Sequence, residues 1–106
     1  MTLDSARFWR YSWLEGLMEI THNSQLNRFE IEENGRVAIA EYVWENAVLK
    51  VTHIIVPTEM RGRGVASQLA ARVVEFAQNE SLKIWPACPF MRAYLEKNPK
   101  LADLVE

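Results

Sequence analysis

From Arg28 onward the chain alternates: Phe29 and Ile31 stand against Glu30 and Glu32, and a second alternating segment follows Asn34-Gly35. A period of two puts one set of side chains on a buried sheet face. Asn-Gly readily supplies the positive φ that both central positions of a two-residue type I′ turn need, so this stretch predicts a hairpin. A second turn around Glu45 to Ala47 leads into "VLKVTHIIV", whose β-branched residues predict a third antiparallel strand. At Val65 the period changes. Val65, Leu69, Val73 and Phe76 recur every three or four residues and mark one face of a helix running to about Asn79. "LKIWP" then reads as a short strand stopped by Pro86, and "FMRAYLEKN" as a final helix closed before Pro99. The predicted class is α/β, in its α+β form: a mixed, mostly antiparallel sheet built from a meander, a helix, a strand parallel to the last meander strand, and a C-terminal helix. The right-handed crossover rule sets the helix Val65–Asn79 against one face of the sheet.

The first seventeen residues stand apart. Phe8, Trp9, Tyr11, Trp13, Leu14 and Leu17 crowd apolar groups behind Asp4 and Ser5, which suit helix capping. One reading is a short amphipathic helix that packs on the domain or on a partner; another is a functional chain that begins at Met18. Residues 1–17 are therefore read as an extension and 18–106 as a single domain, since no repeat or Pro/Gly-rich linker interrupts them.

Composition narrows the choices. A chain of 106 residues that is 49% hydrophobic can bury one compact core. Its net charge of −2 lacks the basic bias of a nucleic-acid-coating protein, so any anion site must be local. The single cysteine, Cys88, rules out an intrachain disulfide and multi-cysteine zinc patterns, and fits a reducing cytoplasm. No metal is expected. No window reaches the roughly 18 apolar residues of a membrane span, and the start lacks the apolar run of a signal peptide. The expectation is a soluble, cytoplasmic protein, monomeric or weakly dimeric, without nucleic-acid or membrane partners.

The candidate chemistry lies at "VPTEMRGRGVASQL", between predicted strand and predicted helix. A helix N-terminus presents about four unpaired N–H groups and a partial positive charge. Gly62 and Gly64 lack side chains that would keep a ligand off this backbone, and Arg61 and Arg63 add positive charge, which together suit a phosphate. The plainer alternative is a tight turn with solvated arginines. A Walker A loop is absent. A dinucleotide fingerprint fails at Ser67 and finds no acidic partner in "IWPAC".

A third pattern, Gln/Arg-x-x-Gly-x-Gly/Ala, fits Arg61-Gly62-Arg63-Gly64-Val65-Ala66 at every position. On this loop the chain resembles the Gcn5-related N-acetyltransferases. It is similar in particular to their minimal members, through Val56-Pro57-Thr58-Glu59-Met60-Arg61-Gly62-Arg63-Gly64 and the box Pro86-Ala87-Cys88-Pro89-Phe90. The resemblance runs from about Met18 to Glu106.

It implies the acetyltransferase fold and acetyl-CoA (or coenzyme A) as cosubstrate. The sheet is expected to splay beside the strand before the loop. Pantetheine amides would add to the edge Thr52 to Val56, including Ile54, Ile55 and Val56, and the pyrophosphate would meet the backbone from Arg61 through Val65 and Ala66 to Ser67. The resemblance sets three catalytic candidates near the thioester. His53 is the histidine of the cleft strand, read as a general base or as a structural residue. Tyr94 is read as the acid that protonates the thiolate or as a packed aromatic. Cys88 is read as bordering the acetyl group, as a covalent carrier, or as a small buried hydrophobe. The segment Asn23 to Asn46 is too short for the helices that enclose the acceptor in larger members. An open cleft follows, suited to a lysine or N-terminal amine of a protein or peptide. The expected function is acetyl transfer to such an amine. Alternatives are a weakly catalytic or non-catalytic module that binds coenzyme A and acts through a partner, and an adaptor working through residues 1–17.

Overall fold

A computed structural model describes residues 19–106. The helix expected within residues 1–17, and the boundary at Met18, lie outside the described residues. Five strands form one sheet in chain order: β1 (Thr21–Asn23), β2 (Arg28–Glu33), β3 (Arg36–Glu45), β4 (Val48–Ile55) and β5 (Lys83–Pro86). The first four form an antiparallel meander, and β5 runs parallel to β4. Among the described residues two α-helices pack with the sheet, α1 (Val65–Asn79) and α2 (Pro89–Glu96). Short 3-10 segments, Thr58–Met60 and Pro99–Leu104, follow β4 and α2.

The hairpin forms where the local chemistry requires it. Asn34 and Gly35 both adopt positive φ, at 53° and 81°, and Glu33 faces Arg36 across the turn. This geometry fixes the register that sends Phe29, Ile31, Ala38 and Ala40 to one face, where all four are fully buried. On α1 the predicted stripe is the buried one: Val65, Leu69 and Val73 are in the core and Phe76 lies at its margin. Ala70 and Ala77 are also fully buried, and their small side chains permit close approach to the sheet. Met91 and Leu95 of α2 join the same cluster. On the other face Val43, Ile55 and Trp85 remain 40%, 50% and 43% exposed.

The meander has one strand more than the alternation indicates. Three residues are too few to show a period, and β1 is held by a tertiary contact instead. His22 lies opposite Phe29, stacks on it with 4.1 Å between ring centroids, and sets Nε2 2.7 Å from the Tyr42 hydroxyl. The outer edge of β5 is covered near the end of the chain, where Val105 bridges Ile84 and the Glu106 N–H donates to the Ile84 carbonyl at 2.8 Å.

Candidate active site

The site begins where β4 and β5 part. Their parallel pairing ends at Val51 opposite Pro86. Proline has no N–H for the ladder, and the chain turns away as the Ala87 N–H bonds the Trp85 carbonyl. A final bond from the Cys88 N–H to the Val51 carbonyl, 3.0 Å, closes the fork. From Thr52 to Ile55, β4 is paired along one edge, to β3, and β5 no longer accompanies the other.

At the same point β4 carries a bulge. Tyr42 pairs with Val51 but Glu41 pairs with His53, so Thr52 is the extra residue. Its hydroxyl donates to the Glu41 carbonyl at 3.2 Å. A bulge bends its strand and resets which side chains face which way. Here it coincides with the opening of the sheet.

The open edge leads through Val56 and Pro57 to the glycine loop. Gly62 and Gly64 have φ of 82° and 76°, a region that costs L-residues roughly 1–2 kcal/mol. A Cβ added to either would meet nothing within 4 Å. The glycines are therefore required by backbone conformation, and the space above them is clear. Gly64 is the N-cap of α1 without a capping side chain, and no acidic residue lies in the helix's first turn. The N-terminal dipole is thus left unneutralised by this helix's own residues. Val56, Arg61, Gly62, Gly64, Val65, Ala66, Ser67 and Phe90 line a cavity of about 180 Å³ above this backbone. A larger cavity of about 370 Å³ lies at the far end of β4, but Glu45 and Glu106 among its walls would repel phosphate.

Both arginines are engaged with protein acceptors. The Arg61 Nε donates to the Val56 carbonyl at 2.9 Å, tying the loop back to the end of β4. Arg63 makes a two-pronged pair with Glu33, one arm at 3.0 Å. This pairing holds the Glu33 carboxyl below its ordinary range and pushes the guanidinium up. A second pair, Arg36 Nε to Glu59 Oε1 at 3.0 Å, joins the other side of the same hairpin to the segment before the loop. The hairpin tip thus grips the loop at two points.

The predicted residues are only partly gathered. Val56 and the loop residues other than Arg63 surround the cavity, whereas Ile54 packs on the core and Ile55 faces outward. None of the three catalytic candidates is among the residues lining this cavity. Cys88 is 5% exposed within the hydrophobic cluster, at the N-cap of α2 beside the fork. Tyr94 is half-buried on α2 against the core, and its carbonyl accepts from the Asn98 side chain at 2.7 Å. His53 lies beside the opening with its side chain 62% exposed, and its Nδ1 is 3.3 Å from Glu41 Oε1. Sequence reasoning missed Phe90, Glu41 and Glu33. Phe90 belongs to the box Pro86-Ala87-Cys88-Pro89-Phe90, so a signal existed for it. Glu33 is thirty positions from its partner, and no local pattern announces such a pair.

Comparison with known proteins bears on the family and the fold. A family model described as GCN5-related N-acetyl-transferase matches residues 28–104. Protein NATD1 of Mus musculus is 32% identical over 88 residues, covering 79% of both chains. Protein NATD1 of Homo sapiens is 30% identical over 86 residues, covering 77% of this chain and 75% of its own. A solution structure from Staphylococcus aureus, described as GCN5-like, superposes with a TM-score of 0.67 at 31% identity, covering 88% of this chain and 91% of that one.

Proposed function

Because the chain belongs to the GCN5-related N-acetyltransferase family, we propose that it transfers acetyl from acetyl-CoA to an amine, specifically an exposed lysine or N-terminus of a protein or peptide. The observation that carries the reading is the continuity of the open β4 edge with the uncapped glycine backbone of α1. An edge strand offers the amide pairing that a pantetheine arm can use, and the α1 N-terminus offers N–H donors to a pyrophosphate. Val56 and Phe90 supply apolar walls between the two.

Acetyl transfer needs an acceptor for the amine proton, a donor to the oxyanion and a proton for the leaving thiolate. His53 takes the first role and a backbone N–H at the fork the second. Tyr94 takes the third. Cys88 borders the acetyl group, and its burial favours direct attack by the amine over an acetyl-cysteine intermediate. Among the described residues the sheet face beside His53 presents exposed Val43 and Ile55, which suits a polypeptide acceptor.

A second reading has its own support. The catalytic candidates stand outside the loop cavity, as they would in a module that binds coenzyme A and acts through a partner. Calorimetric titration with acetyl-CoA, using Gly64→Glu as control, tests what both readings share. Saturable binding lost in the control is expected, and no binding by the wild type overturns both. Release of free thiol in the presence of peptide amines then separates enzyme from module.

A further inference from the structure

We propose that Glu41 is the positioning residue for His53, holding the ring so that Nδ1 carries the proton and Nε2 is the atom that accepts one from the amine. The inference rests on the reading of His53 as the base. It is carried by the bulge at Thr52. In the register of Tyr42 with Val51, continued without interruption, His53 would face Ala40, which is fully buried. The extra residue moves His53 to the opposite face and sets it directly against Glu41. The Thr52 hydroxyl, bonded to the Glu41 carbonyl at 3.2 Å, pins the backbone of the partner it creates.

The side chains complete the arrangement. Glu41 Oε1 is 3.3 Å from Nδ1 of His53. Arg28, the residue opposite Glu41 on β2, has its Nε on Glu30 at 2.6 Å, so Glu41 faces the imidazole and Arg28 is committed elsewhere. Lys50, on the same face, lies over the Trp85 ring, 4.3 Å from its centroid. A carboxylate against one imidazole nitrogen selects the tautomer with the proton there, leaving the lone pair on the other. Catalytic contacts that are long in a free enzyme tighten when substrate arrives, which accommodates 3.3 Å. Both side chains are well exposed, at 62% and 40%, and exposed pairs contribute little to stability. The pair is thus poorly suited to a purely structural role.

In the transfer itself the amine nitrogen forms the C–N bond to the thioester carbon and its proton passes to Nε2. The C–S bond breaks and its electron pair leaves with the sulfur. Tyr94 gives the thiolate its proton to form free coenzyme A, the imidazolium releases to solvent the proton taken from the amine, and the tyrosinate regains one from solvent, so that both side chains end neutral. Throughout, Glu41 remains a carboxylate against Nδ1.

The experiment is long-range proton–nitrogen NMR of the labelled protein at a pH where the ring is neutral, alongside turnover with acetyl-CoA and a lysine peptide. The wild type is expected to show His53 protonated at Nδ1. Glu41→Ala should release the ring to the Nε2-protonated form and lower kcat on the order of tenfold, less than the ~10²–10⁴-fold that a base itself contributes. Acetyl-CoA affinity by calorimetry should not change. Glu41→Gln, whose amide oxygen can accept a hydrogen bond from Nδ1, should restore the tautomer and most of the rate. A wild-type ring protonated at Nε2, or a Glu41→Ala protein with undiminished kcat, overturns the role of Glu41. Undiminished turnover by His53→Ala instead overturns the base reading beneath it, whichever tautomer is seen.

Discussion

The two halves of β4 are built from similar residues and have different partners. Val48 to Val51 is hydrogen-bonded to β3 on one side and β5 on the other, with Leu49 and Val51 fully buried beneath. Thr52 to Ile55 keeps β3 and loses β5, and its side chains are half-buried or exposed. Four residues of strand thus pass from structural support to an available edge, at the position where a bulge and Pro86 interrupt two ladders at once. The division makes opposite demands on substitution. Leu49→Ala should cost about 2–5 kcal/mol, the range for emptying a packed aliphatic site. Ile55→Ala, at an exposed position, should stay within about 0.5 kcal/mol. Urea unfolding measures both, and an equal loss at the two positions would break the comparison.

The glycine loop repeats the contrast between conformation and space. Gly64→Ala meets no neighbour within 4 Å yet must hold φ near 76°. Its expected cost is roughly 1–2 kcal/mol, from the left-handed conformation alone. Weaker acetyl-CoA binding should accompany it as the loop relaxes, measured by calorimetry on the folded protein. Unchanged stability and affinity would show that the backbone can leave the left-handed region without loss.

Glu33 tests whether backbone or side-chain charge dominates there. Its carboxylate occupies both arms of Arg63, so Glu33→Gln should free positive charge beside the α1 N-terminus. Acetyl-CoA affinity is expected to rise at low ionic strength, and the gain to fade as salt shortens the Debye length below about 10 Å. An affinity indifferent to the substitution at every salt concentration would assign the anion site to the backbone alone.

What the sequence reveals follows the same line between local and distant causes. Asn34-Gly35 announces its turn because positive φ is a demand of those two residues. The α1 stripe is legible because four side chains repeat on one helix face, and the loop because bare backbone at a helix start is written in adjacent letters. The bulge at Thr52 carries no such mark; threonine is an ordinary strand residue, and its displacement is visible only against β3. Glu41 is one of several alternating glutamates until the shifted register sets it opposite His53. Cys88 reads as a reactive candidate between prolines, and its burial comes from the core it joins.

The two histidines give the smallest expected effect and extend the comparison across the sheet. His53 stands at the open half of β4, whereas His22 is enclosed by Phe29, Tyr42 and Phe76 on the closed side. Burial, reinforced by the nearby Arg72 charge, lowers the His22 pKa from its ordinary 6.5. Between the lowered folded value and 6.5 the unfolded chain binds more protons than the native one, so stability rises with pH through that window. The contribution is fully present above about 6.5 and is lost as pH falls through the folded value. Thermal unfolding at about pH 7.5 and about pH 5.5 should therefore show a lower Tm in acid, and His22→Phe should shrink this difference. Protonation would also set a charged ring against Phe29 and forfeit the lone pair available to the Tyr42 hydroxyl, loosening β1 first. Amide exchange that accelerates in acid across Thr21–Asn23 before the rest of the sheet is the expected signature. Uniform acceleration would place the acid-sensitive group elsewhere and leave β1 no more dependent on His22 than the remaining meander.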